Sequence, residues 1–129
     1  MALKLIKIFP NCYISFNGII TFSKSSFLRE LAFDIPLNRI LISSDSPRFP
    51  PPQAPPVINS THNGGKNSGK NGGKSGKSKR DKVICLPSYI PLIAREIGKQ
   101  KKMSEHDILV ATVNNAAQFY HIKLNAEQA

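Results

Sequence analysis

No stretch of the chain approaches the eighteen or so consecutive apolar residues that a bilayer-spanning helix needs. A clean export signal is missing too. The opening Met1-Ala2-Leu3-Lys4-Leu5-Ile6-Lys7-Ile8-Phe9-Pro10 sets lysines inside its apolar run, where a signal peptide keeps an uninterrupted core. Cysteine is scarce, with Cys12 and Cys85 far apart and no C-x-x-C pair, which excludes a disulfide framework and a zinc knuckle. These absences point to an intracellular protein, in cytoplasm or nucleus, with no membrane partner. Acidic residues are also few, 8 against 18 Lys and Arg, so the net charge is +10 and the pI about 9.9. That balance suggests an anionic partner, although where the charge lies matters more than its total.

What is present, in 129 residues, is the material of one ordinary domain. Leu3, Leu5, Ile6 and Ile8 suit a helix stopped by Pro10-Asn11. Cys12-Tyr13-Ile14-Ser15-Phe16 reads as a strand. Asn17-Gly18 is open to two readings: a hairpin turn into Ile19-Ile20-Thr21-Phe22, or a loop at a strand tip where glycine permits close approach. From Ser23 to Phe33 the spacing of Phe27, Leu28, Leu31 and Ala32 predicts a helix, with Ser25 or Ser26 as cap and Glu30 completing a capping box. It ends at Ile35-Pro36-Leu37. A second strand follows at Ile40, making a βαβ unit over residues 1–50 whose crossover should be right-handed.

That second strand ends in the most informative stretch, Arg39-Ile40-Leu41-Ile42-Ser43-Ser44-Asp45-Ser46-Pro47. Three consecutive aliphatics without alternation predict a parallel strand covered on both faces. The lone acid past its end stands where α/β barrels place catalytic groups. Asp-Ser-Pro also forms turns and helix caps, and both readings stand on the stretch itself.

Residues 51–82 are of another composition. Pro50-Pro51-Pro52 and Pro55-Pro56 favour extended polyproline geometry, and a Gly, Lys, Asn and Ser mixture follows from Gly64 to Arg80. It has almost nothing apolar to bury and is predicted to be a disordered insertion. It could hold phosphate backbones as a basic arm, but no aromatic is interleaved for stacking, which favours a solvated loop. Gly76-Lys77-Ser78 resembles the end of a phosphate-binding P-loop, yet Asn71 occupies the position of the motif's first glycine and no strand precedes it. Residues 83–124 predict a helix pair. The first starts at Pro87, carries Ile90, Leu92, Ile93, Ala94 and Ile97 on one face, and ends near Gly98 and the lysines after it. The second starts with a capping box at Ser104 to Asp107 and presents Ile108, Ala111, Thr112, Asn115, Ala116 and Phe119. His106 and His121 flank it as exposed residues, and His62 falls in the insertion.

Taken together, these residues resemble the TatD-type metal-dependent deoxyribonucleases, a branch of the barrel-fold metal hydrolases. The likeness runs through Tyr13 to Phe22, Phe27 to Ala32, Ile35-Pro36-Leu37-Asn38-Arg39 and Asp45-Ser46-Pro47, resumes at Pro87-Ser88-Tyr89-Ile90, and closes with Thr112 to Ala116 and Phe119-Tyr120. The resemblance implies an α/β fold that is the C-terminal part of a TIM (β/α)8 barrel, strands seven and eight with the helices that follow. It implies that Asp45 is both catalytic and a metal ligand, and that the cofactors are divalent ions, Mg, Mn or Zn. It further implies DNA as partner and phosphodiester hydrolysis by a metal-activated water. Asn17, Gly18 and Ser46 would lie at the same mouth, orienting the acid or meeting substrate.

The chain also departs from the family pattern. Ser43-Ser44 replaces the usual Glu-Thr before the aspartate, Arg48 stands where an aromatic or leucine is common, and Cys85 takes an asparagine position. The family's H-x-H pair, bridging glutamate and two further histidines have no counterpart. A barrel of this kind needs eight strands in about 250 residues, and two are predicted. A truncated chain that is inactive alone is therefore expected, with an N-terminal barrel half as a missing partner. The alternative is a non-enzymatic basic protein that binds nucleic acid or another polyanion on a degenerate barrel fragment.

Overall fold

A computed structural model describes residues 2–55 and 84–124. Most of the Gly/Lys-rich insertion, with its predicted disorder, and His62 lie outside these described residues. Helix α1 (Ala2–Ile8) forms as predicted, with Ala2 and Ile6 leaning on the core. Strand β1 is shorter than expected, Ile14–Phe16. The amide of Cys12 donates back to Phe9 O at 2.9 Å, so Cys12 belongs to the turn after α1 rather than to the strand.

Strand β2 (Ile40–Ile42) pairs with β1 in parallel, Ile14 opposite Ile40 and Phe16 opposite Ile42. The hairpin reading of Asn17-Gly18 is thereby overturned. Gly18–Thr21 is a 3-10 turn capped by Asn17, whose Oδ1 accepts the Ile19 amide at 3.0 Å. A short amide side chain that bonds its own backbone competes with continued pairing, and the turn drops Ile20 into the core. Of the strand predicted to be covered on both faces, Ile40 alone is fully buried; Leu41 and Ile42 are half-buried. Helix α4 (Glu105–Tyr120) packs on β2, but among the described residues the sheet has only two strands.

Helix α2 (Ser26–Asp34) connects the strands and starts after Ser25, one of the two caps predicted. The expected capping box does not form. Ser25 takes the cap position with φ −97° and ψ 37° and makes no side-chain bond, because a cap hydroxyl reaches the first turn from an extended backbone. Arg29 organises this end instead. Its guanidinium donates to the carbonyls of Phe22 at 2.7 Å and Ser23 at 3.0 Å, and to Ile20 O at 3.3 Å. At the other end Lys101 Nζ donates to Ile35 O at 2.6 Å and Phe33 O at 3.2 Å, satisfying carbonyls that a helix terminus leaves open.

Pro87–Tyr89 forms a 3-10 turn leading into α3 (Ile90–Lys101), which ends among the lysines after Gly98, as predicted, and closes on left-handed Lys102, so that Gly98 itself lies inside the helix. Gly98 is needed for a different reason: an added Cβ would lie 2.7 Å from Met103 O. The capping box before α4 is present, Ser104 Oγ accepting the Asp107 amide at 3.1 Å. Helix α3 is central, touching α2, α4 and the Gly18–Thr21 turn. Its Ile93, Ala94 and Ile97 meet Phe16, Ile20, Ile40 and Ile108 in one apolar cluster.

Candidate functional site at the strand tips

Parallel pairing sets the C-terminal ends of β1 and β2 side by side. One further ladder bond, Ser43 N–H to Phe16 O at 2.9 Å, carries the register past Ile42. The chain then turns, with Arg48 N–H donating to Asp45 O at 2.8 Å. Asp45 sits exposed in that turn with a left-handed φ of 48°, a region Asp tolerates better than most residues. The turn reading and the strand-tip reading of Asp45 therefore both describe its place.

Each carboxylate oxygen of Asp45 is held. Oδ2 accepts from Asn17 Nδ2 at 2.5 Å, and Oδ1 accepts from the Ser43 hydroxyl. Because Asn17 Oδ1 is occupied by the Ile19 amide, its amide group has one orientation, with Nδ2 aimed at the acid. Ser43 above all, then Asn17, with help from the Arg48 charge and against a small burial effect, lowers the Asp45 pKa below the usual carboxylate value. At neutral pH the group is an ionised, oriented acceptor with lone pairs to spare.

The other two predicted residues are engaged by the chain itself. Gly18 is buried and faces the Phe49 carbonyl, which would lie 1.9 Å from an added Cβ. Glycine does permit close approach here, and the approaching group is backbone. Ser46 donates its hydroxyl to Cys85 O at 2.8 Å.

Cys85 was singled out in the sequence only as a substitution for asparagine. It is fully buried, its thiol donates to Ser44 O at 3.1 Å, and its amide donates to Pro47 O at 3.1 Å. Burial first, and then the Asp45 charge, pushes the thiol pKa up, which keeps the S–H donor protonated. Asn115 was read as part of a helix face. Its buried side-chain amide donates to Leu37 O and Ile40 O, each at 2.8 Å, pinning the start of β2 to α4. Nothing in a periodic pattern distinguishes such an amide from a half-buried neighbour.

Among the described residues no group of three or more His, Cys, Asp or Glu side chains could hold a metal ion. His106 is in the first turn of α4 and His121 caps its other end, so about fifteen residues at 1.5 Å rise separate them. Both are exposed, as predicted. At the strand tips the described residues thus supply one carboxylate and do not by themselves make a metal centre. No described helix is long and apolar enough to cross a membrane.

Residues 1–121 match the family described as TatD related DNase. The chain is 27% identical over 112 residues to the uncharacterized metal-dependent hydrolase YabD of Bacillus subtilis, covering 87% of this chain and 34% of that protein. It is 41% identical over 51 residues to the human 3'-5' RNA nuclease TATDN2, 40% of this chain and 7% of the relative. With the Escherichia coli metal-dependent hydrolase YcfH the identity is 49% over 39 residues, 30% of this chain and 15% of the relative. The chain thus spans about a third, or less, of the length of these curated relatives. With the match running through β1, β2, α3 and α4 alike, the chain belongs to the TatD related DNase family.

Proposed function

We propose that β1 and β2 are the seventh and eighth strands of a (β/α)8 barrel and that Asp45 is a carboxylate of its phosphodiester-hydrolysing centre. On this reading residues 1–50 are the strand–helix–strand unit, 51–82 an insertion in the sequence, and 83–124 the closing helix pair. The observation that carries it is Asp45: an ionised acid just past a parallel strand, oriented by an amide from the neighbouring strand's tip. Barrels of this class assemble their catalytic groups at that end of the strands. The relatives, named as two metal-dependent hydrolases and an RNA nuclease, support a nucleic-acid phosphodiester as substrate and a divalent ion as cofactor. The other ligands for Mg, Mn or Zn come from residues beyond those described, in the same polypeptide or in a partner. By itself the 129-residue polypeptide turns nothing over.

The test is a chimera in which residues 1–121 replace the matched region of the Bacillus subtilis relative. Metal-dependent hydrolysis of DNA or RNA is expected, falling by about 10² or more on Asp45→Asn, the scale of a lost general acid–base group. Indifference of the chimera to Asp45→Asn would sink the assignment. Metal-dependent cleavage by the 129-residue polypeptide alone that Asp45→Ala abolishes would instead overturn its proposed inactivity and leave the role of Asp45 standing.

A further inference from the structure

The geometry points to Cys85 as the positioning residue for Asp45, gripping the chain on both sides of the acid from across the insertion. This inference rests on the assignment of Asp45 above. Three hydrogen bonds join Cys85 to the turn: thiol to Ser44 O at 3.1 Å, amide to Pro47 O at 3.1 Å, and carbonyl from Ser46 Oγ at 2.8 Å. The residue before the acid and the two after it are therefore all held by one residue some forty positions away. Asp45 itself makes no bond to Cys85; its carboxylate is held by Ser43 and Asn17.

The reason such a grip is needed lies in the backbone. Asp45 has φ 48°, and Phe49, four residues on, has φ 54°. Non-glycine residues in this region persist where the surroundings over-determine them. Released from Cys85, the turn would relax towards an ordinary extended or right-handed backbone. The carboxylate would then swing away from Asn17 Nδ2.

The experiment uses the full 129-residue chain, isotope-labelled, with Cys85→Ala, Cys85→Ser and Ser46→Ala. The measured quantities are the three-bond amide-to-Hα coupling of Asp45, read with its intraresidue amide–Hα Overhauser intensity so that positive φ is distinguished, and the nuclear Overhauser contact between the Asn17 side-chain amide and Asp45 Hβ. The thermal midpoint is recorded alongside. Cys85→Ala and Ser46→Ala are expected to shift the coupling away from its left-handed value and to lose the contact, while Cys85→Ser, which keeps a donor, retains both. If Cys85→Ala unfolds the chain, Ser46→Ala alone carries the test, because it removes one bond and leaves the core intact. A lowered midpoint with coupling and contact unchanged in the folded variant would make Cys85 a packing residue and overturn the inference. In the chimera Cys85→Ala is expected to cut kcat by about 10-fold to 10²-fold with KM unchanged, the effect of a misplaced reacting group. Loss of the coupling signature in a chimera that ignores Asp45→Asn would instead leave the positioning standing and remove the function.

Discussion

At Asp45 the donors around the carboxylate decide its charge. Ser43 is the larger cause of the lowered pKa and Asn17 the second. Replacing Ser43 by Ala is therefore expected to raise the Asp45 pKa more than Asn17→Ala does, and both shifts can be followed by carboxyl-carbon NMR titration. The sign for stability follows. A folded-state pKa below the unfolded value of about 3.9 gives a contribution that is present above that pH and lost as pH falls through the folded value. Acid unfolding of the Ser43→Ala variant should accordingly lose part of this pH dependence. Gly18 offers a purely steric test. An alanine Cβ would meet the Phe49 carbonyl at 1.9 Å, so Gly18→Ala is expected to cost about 1–3 kcal/mol, as overpacking does. A midpoint in urea equal to that of the unaltered chain would show that the strand-tip loop is free to move away.

Among the elements, α4 depends on more than its apolar stripe. Asn115 satisfies the carbonyls of Leu37 and Ile40 where β2 begins. Asn115→Ala is expected to destabilise the chain by about 1–3 kcal/mol, because two buried acceptors lose their donor. Leu109→Ala on the same helix, which removes apolar contact alone, is the comparison. No measurable loss for Asn115→Ala would show that water reaches those carbonyls. The insertion is bracketed by its own ties: Tyr89 Oη donates to Pro55 O at 2.8 Å, and Cys85 holds the turn after β2. Shortening the Gly/Lys-rich segment about fourfold is therefore expected to raise stability by about 1 kcal/mol, the scale of the loop-closure saving. A drop in the thermal midpoint would mean that the segment contributes contacts to the fold.

For the molecule as a whole, several large apolar side chains stand in solvent. Ile8, Phe9, Phe27, Phe33, Tyr120 and Ile122 are each more than half exposed. Among the described residues each strand also has one unpaired edge, an open template for further strands. Self-association that grows with concentration is expected in sedimentation velocity. A monomer at all concentrations would argue against the barrel assignment, since surfaces built for neighbouring strands and helices should not stay dispersed.

Periodicity and end signals made much of this fold legible. The one-face spacing of Ile93, Ala94 and Ile97, the Ser104 cap and the aliphatic run at Ile40 are local patterns, and a local pattern states which face is apolar and where an element begins. Whether Asn17-Gly18 opened a hairpin or a strand-tip loop was beyond local pattern, because both need the same residues; parallel pairing with β2 decided it. Asp45 could be marked from its neighbours in the chain, but its orientation comes from Asn17, twenty-eight positions earlier. Cys85 was harder still. Its thiol, amide and carbonyl act on a turn separated from it by the insertion, and only tertiary packing brings a buried donor to a carbonyl that the one-dimensional order leaves without a partner.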